Sequence, residues 1–204
     1  MDKFLALSEE KQTSVIVAGF LCFGKMGYKK ASASDIAASA GISKATLFHY
    51  FGSKKNFYVF LVNKAFDTMM SAFRDVYNPE LTDIFDSLLN LTACKIATLK
   101  EYPNLLDFVM GLYSETDPEV RPEIDKMLSK GMNFRNEIVF TQTDTCKFKD
   151  SVDPSLVLKL LIRYSEGFAN NASHLSGEDL EKLSDEFTQC ILMLKNNFYK
   201  TEYL

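Results

Sequence analysis

Residues that break helices are scarce in this chain. Its 204 residues hold five prolines and nine glycines, β-branched alternation is rare, and no internal repeat, low-complexity tract or long Pro/Gly/Ser linker interrupts it. A fold of many short strands needs frequent turn signals, so it is disfavoured. There is no run of about 18 or more uncharged apolar residues, which argues against a membrane-crossing helix. The chain begins MDKFLALSEEKQ, with acidic residues where a signal peptide needs a basic and then an apolar run. A cytoplasmic location is expected. The four cysteines (Cys22, Cys94, Cys146, Cys190) are scattered without a CxxC pair or neighbouring histidines, against a zinc site or a disulfide framework. Cys22 and Cys190 fall in apolar helical patterns and read as small buried hydrophobes. Histidine is rarer still, His49 and His174 only. With no GxSxG elbow, phosphate-cradling Gly-rich loop or paired Glu-x-x-His, there is little from which to build an enzyme. No cofactor and no metal are expected.

The charge is unevenly spread. The net −4 would disfavour a polyanionic partner, yet residues 1–55 carry eight lysines against four acids, a formal +4. Residues 56–204 carry 15 basic and 23 acidic residues, a formal −8. A basic end on an acidic body concentrates attraction for phosphate in one place.

Helical spacing dominates almost throughout. A first helix is expected over 8–25, with Ser8 as its N-cap, Val15, Ala18, Gly19, Cys22 and Phe23 on its apolar face, and a stop at Met26-Gly27. A second starts after Ser32, turns Ile36, Ala37 and Ala40 inward and ends at Gly41, suited to a left-handed position. Ser43 caps a third that runs to about Phe51. A fourth, after Ser53, continues to about Tyr77 and is apolar nearly all round, the mark of a buried helix. Further helices are expected at about 80–101, 103–114, 118–142, 154–175 and 178–200, separated by Pro103, Asp117-Pro118, Asp153-Pro154 and Ser176-Gly177. The polar stretch 141–152 reads as a loop. The class is all-α, about nine helices: a three-helix head over 1–53 and a larger helical body over 54–204.

The head carries the chemistry. Two short helices flank Gly41-Ile42-Ser43, the layout of a helix-turn-helix whose second helix lies in the major groove of DNA. On a helix starting at Lys44, Leu47 and Phe51 share an inward face. Lys44, Ala45, Phe48 and His49 share the outward one, offering a cation, a methyl, a ring and an imidazole to base edges and thymine methyls. Thr46 in the first turn suits a phosphate. Lys54 and Lys55 open the next helix, whose N-terminal dipole adds to their pull on phosphate. Taken singly, Phe48 reads as core and His49 as an ordinary histidine. Caps, turn glycine, opposed faces and flanking lysines falling together at the right offsets carry the DNA-binding reading.

The run Asp35-Ile36-Ala37, Ala40-Gly41-Ile42-Ser43, Thr46-Leu47-Phe48-His49-Tyr50-Phe51, Ser53-Lys54 resembles the TetR/AcrR family of bacterial transcriptional regulators, over about residues 8–60. Beyond that the likeness is one of length and helical pattern. The resemblance implies a homodimer that binds a palindromic double-stranded DNA operator, most often as a repressor, and releases it when a small molecule enters the body. It implies base-facing roles for Lys44, Ala45, Phe48 and His49, phosphate contacts by Thr46, Tyr50 and Lys54, and a reach to DNA by Ser34. The family commonly has tyrosine where Phe48 stands and glycine where Ala45 stands.

Two features of the body support that expectation. Leu180, Leu183, Phe187, Ile191, Leu194 and Phe198 form a seam of nearly heptad period, and Leu156, Leu160, Leu161, Tyr164, Phe168 and Ala172 lie on the helix before it. Paired across two subunits, these would build a four-helix bundle, with Leu160, Tyr164, Phe168, Leu183, Phe187, Ile191 and Leu194 at its interface. The alternative is that both helices face their own core. Phe66, Met69, Met70, Phe73, Phe108, Met110, Tyr113 and Phe134, with Met127 and Met132, are rings and thioethers that line an adaptable apolar pocket or else fill a plain core. The competing function is an architectural or partner-interaction DNA-binding protein without effector control.

Overall fold

The scarcity of breakers translates directly into helix. The computed structural model describes residues 2–76, 81–102, 104–141, 143–172 and 178–204, apart from the side chains of 75–76, 95, 99–101, 134–141, 169–172 and 180. Within them lie ten α-helices: α1 Asp2–Leu5, α2 Glu9–Lys30, α3 Ala33–Ser39, α4 Lys44–Phe51, α5 Lys54–Val76, α6 Ile84–Glu101, α7 Leu105–Ser114, α8 Arg121–Thr141, α9 Pro154–Ala172 and α10 Glu178–Phe198. None is long and apolar enough to cross a membrane. The expected end of the fourth helix at Tyr77 and the expected breaks at Pro103 and Ser176-Gly177 lie outside the described residues, as do His174 and the side chains of Phe134, Ala172 and Leu180.

The packing forms two compact units, Met1–Met69 with Leu99–Lys130, and Met70–Thr98 with Gly131–Leu204. A boundary at 53/54 is therefore not where the packing divides the chain. The reason is local to the first unit: α2 and α7 cross so closely at Gly24 that an added Cβ would lie 3.0 Å from the Phe108 amide nitrogen. The three-helix head thus shares a core with α7. Phe4, Phe20, Phe23, Phe51, Phe57, Tyr58, Leu61 and Phe108 are all buried there. Their rings meet in offset or edge contacts, with Phe51–Phe57 at 4.5 Å and Phe20–Phe108 at 5.0 Å between centroids.

Two features of this unit were not legible in the sequence. The chain starts with α1, whose Phe4 is fully buried, and α2 continues beyond the expected stop. Gly27 does break the helix (φ 71°, ψ 172°), but a further turn follows before Ala31.

The second unit is built on Ile84, Phe85, Phe148, Val157, Leu158, Leu161, Phe187, Ile191 and Tyr199. The segment read as a polar loop belongs to this core. Phe148 is buried against Tyr199 (4.9 Å, edge-on) and Phe85, and its backbone pairs with the end of α10 through Lys149 N–H to Phe198 O and Lys200 N–H to Lys147 O, both 2.9 Å. One aromatic among polar neighbours gives no periodicity, which hides it from pattern reading.

Below that strap lies Asp83, 4% exposed, the residue before α6. Its carboxylate accepts the Phe85 and Asp86 amides (3.0 and 3.2 Å), capping the helix. It also pairs with Lys147 and Lys195 at 3.3 Å each and accepts the Tyr199 hydroxyl at 3.4 Å. Burial pushes this carboxyl up, but the Asp86 amide and the two lysines outweigh it and hold it below the ordinary carboxylate value.

Candidate nucleic-acid interface

The helix-turn-helix forms for local reasons. Ser32 Oγ accepts the Ser34 amide at 3.2 Å and so caps α3. Gly41 takes φ 67°, and the Ile42 amide returns to Ala37 O at 2.9 Å, closing α3 with a left-handed residue. Ser43 Oγ then accepts the Thr46 amide at 3.0 Å and starts α4. Leu47 and Phe51, 1% and 4% exposed, fix the rotation of α4 about its axis. That rotation leaves Lys44, Ala45 and His49 exposed on the outward face, with Ser34 exposed on α3.

The flanking positions are half-buried. Phe48 packs partly against the core, with the Lys44 ammonium 5.8 Å above its ring. Thr46 shares a 2.8 Å hydrogen bond with Ser43. The Tyr50 ring packs beside the Phe4–Phe51 pair, 5.9 and 6.4 Å from the two rings. Lys55 is half-buried in the first turn of α5. The structure thus gathers Lys44, Ala45, Thr46, Phe48, His49 and Tyr50 on one helix with the opposed faces that the spacing requires.

Lys54 is engaged elsewhere. Its ammonium donates to the carbonyls of Tyr28 (3.0 Å), Lys29 (3.4 Å) and Ala31 (3.4 Å), and lies 4.5 Å from the centre of the Tyr28 ring. Three carbonyls at a helix C-terminus match an ammonium's three donors and the negative end of the dipole. Lys54 therefore ties the end of α2 to the start of α5. The same tyrosine is held from the other side: its amide donates to Glu115 at 2.8 Å and its hydroxyl to Glu119 at 2.7 Å. Burial, then those carboxylates, push its phenol above the ordinary value.

One cation on this surface escaped the sequence reading. Lys3 Nζ lies 3.0 Å from His49 Nε2. An ammonium only donates, so Nε2 is the acceptor in this pair. Lys3 stands two residues into the chain, far from the motif in sequence; the available signal was Phe4, an isolated aromatic before the Ser8 cap.

The other expected site residues do not converge in this way. Phe108 is a core residue, packed on Phe20 and Tyr58. Tyr113 is 64% exposed. Phe66, Met69 and Met110 are half-buried in the first unit, Met69 against its core; Met70 and Phe73 are half-buried in the second. On the seam, Phe187 and Ile191 are 1% and 0% exposed within their own unit, so they fill that core rather than an intersubunit face. Tyr164 stacks on Phe187 at 5.3 Å and Phe168 lies 4.6 Å from it. Burial, then a hydrogen bond with half-buried Cys190, pushes the Tyr164 phenol up to about 12. Leu183 and Leu194 are half-buried and Leu160 is 46% exposed.

Residues 15–59 match the family model described as bacterial regulatory proteins, tetR family. The head belongs to the tetR family. Among curated proteins none matches the sequence. Among solved structures, the chain is similar to a TetR family transcriptional regulator from Chloroflexus aurantiacus, at 18% identity and a TM-score of 0.71 over 98% of each chain. It is also similar to the ketosteroid transcriptional regulator of Mycobacterium tuberculosis, at 16% identity and a TM-score of 0.64 over 95% of this chain and 97% of that one. The fatty acid degradation regulator of Bacillus halodurans gives 20% identity and a TM-score of 0.63 over 91% and 96%. The whole chain has the fold of TetR-family transcriptional regulators.

Proposed function

We propose that this tetR-family protein is a ligand-responsive transcriptional repressor that binds a palindromic operator as a homodimer. The observation that carries the reading is α4 itself. Its inward face is clamped by Leu47 and Phe51, and its outward face presents Lys44, Ala45 and His49 on a helix started by a serine cap. Those three residues, with Phe48, read base edges and methyls. Thr46, Tyr50, Lys55 and Ser34 supply the phosphate side, which sets register but not sequence.

Dimerisation is supported by the outer faces of α9 and α10. Leu156 and Leu160 on α9, and Leu192 and Met193 on α10, are between 43% and 62% exposed. Large apolar side chains left exposed on both helices suit a surface that another chain covers. Two heads held so, with half-sites about 34–36 Å apart, read a palindrome.

For the effector we propose a small apolar or amphipathic molecule. The half-buried Phe66, Met69 and Met110 of the first unit suit such a ligand, and the ketosteroid and fatty acid degradation regulators with this fold bear names of the same chemical class. The effector must bind the DNA-competent and DNA-released states with different affinity.

The test is to select bound fragments from randomised duplex DNA with the full chain, then to screen fatty acids, sterols and other apolar metabolites for release of the selected duplex. A selected palindrome released by one of these supports the reading. A selected duplex that no ligand releases would favour an architectural protein, and failure to enrich any sequence over competitor DNA would sink the regulator.

A further inference from the structure

We infer that Lys3 is a DNA-contacting residue, and that the N-terminal helix α1 is a fixed arm that carries a phosphodiester-binding cation to the recognition helix. The inference rests on the DNA-binding reading of α4. Its basis is the way α1 is held. Phe4 is fully buried, with its ring 4.8 Å from Phe51, 5.4 Å from Phe60 and 5.9 Å from Tyr50. The Gln12 side-chain amide donates to Leu5 O and Leu7 O at 3.2 and 2.9 Å, closing the corner between α1 and α2. The residue next to Phe4 therefore has a fixed backbone position beside α4.

Lys3 and His49 are both exposed, and they meet at 3.0 Å. The lysine's partner is an imidazole and not a carboxylate, so no negative charge offsets the ammonium. His49 lies on the outward face with Lys44 and Ala45, but nearer the C-terminal end of α4. A recognition helix meets base edges chiefly with its N-terminal residues. A cation beside its C-terminal end is placed for the phosphates that border the groove, where charge adds affinity and not sequence preference. Lys3 also orients the His49 ring by donating to its Nε2.

The experiment is fluorescence anisotropy of a labelled mixed-sequence duplex with the full-length wild type, Lys3→Gln and Lys3→Arg between 50 and 200 mM salt. Glutamine keeps an N–H donor for His49 and removes only the charge, so a purely orienting role would survive the change. The expected result is a salt slope shallower by about 0.9 for Lys3→Gln, so that its affinity deficit shrinks about threefold across that range; Lys3→Arg keeps the wild-type slope. Unchanged thermal melting shows that neither variant perturbs the fold. A Lys3→Gln slope equal to wild type overturns the inference, and so does a Lys3→Arg variant that behaves like Lys3→Gln. A wild type that binds no duplex at any salt overturns the DNA-binding reading itself, before any variant is compared.

Discussion

In α4 the inward face is apolar and the outward face carries Lys44, Ala45 and His49. In α10 the inward face is also apolar, with Phe187 and Ile191 buried, but the outward face includes Leu192 at 43% and Met193 at 55% exposure. The two helices solve the same burial problem and differ in what they leave outside. An outward face of cation, methyl and imidazole costs little in water and suits a major groove of base edges and thymine methyls bordered by phosphates. The leucine and methionine that stand among the otherwise polar exposed residues of α10 are unfavourable in water until another apolar surface covers them. The inner rows of the two helices each fill the core of their own unit; the outer rows separate the DNA-reading surface proposed for α4 from the protein-covered surface proposed for α10.

The largest expected effect tests the inner row of α10. Phe187→Ala removes a fully buried ring on which Tyr164 and Phe168 pack, and should lower unfolding stability by about 3–5 kcal/mol. The loss should be independent of protein concentration in urea titrations followed by circular dichroism. Leu160→Glu, on the exposed side of α9, should instead leave the stability of the subunit nearly unchanged and shift sedimentation toward the monomer. If Phe187→Ala dissociated a dimer without weakening the subunit, the division into inner and outer rows would be wrong.

Asp83→Asn comes next. Asparagine keeps an acceptor for the α6 amides but strands Lys147 with its charge partly buried and leaves Lys195 paired with Asp86 alone, at 2.7 Å. A loss of about 2–4 kcal/mol near neutral pH is expected. The sign with pH follows from the lowered carboxyl. Its stabilisation is fully present above the unfolded carboxylate value of about 3.9 and disappears as pH falls through the lower folded value. The gap between wild type and Asp83→Asn should therefore be constant at pH 5–7 and close in more acid solution. A gap that widens on acidification would mean that the folded carboxyl is not held low.

What was legible in the sequence divides along the same line as these two helices. The head could be read because its determinants are local: Ser32 and Ser43 cap, Gly41 takes a positive φ, and Leu47 and Phe51 face the core, all within twenty residues. The seam of α10 could be recognised as apolar but not assigned, because a heptad spacing is the same whether the partner helix is in its own unit or in another subunit. Phe148 and Asp83 were missed because their roles depend on residues 51 and 64 or more positions away along the chain. Lys54 was read as a phosphate ligand from its place at a helix start; the carbonyls it binds come from α2, which helix position alone does not reveal.

Lys54 accordingly separates from Lys3 in its expected phenotype. Lys54→Ala should cost about 1 kcal/mol of stability, through the loss of a cation at a helix C-terminus and over the Tyr28 ring. Its salt slope on duplex DNA should stay at the wild-type value. A slope flattened by about 0.9 would return the Lys54 ammonium to the phosphate surface.

Phe48→Tyr should have the smallest effect. The ring is half-buried at the edge of the outward face, with its inner side against the core and the Lys44 ammonium 5.8 Å above it. Adding a hydroxyl leaves that packing in place and offers the DNA one more hydrogen-bond donor, of the kind that positions rather than specifies. Gel-shift titration on a selected duplex should show affinity unchanged or up to about tenfold tighter, within the reach of one hydrogen bond to a charged group. The preferred sequence should not change. A large loss would place the para position of this ring inside the protein and shift the outward face toward Ala45 and His49, sharpening the contrast with α10 by one residue.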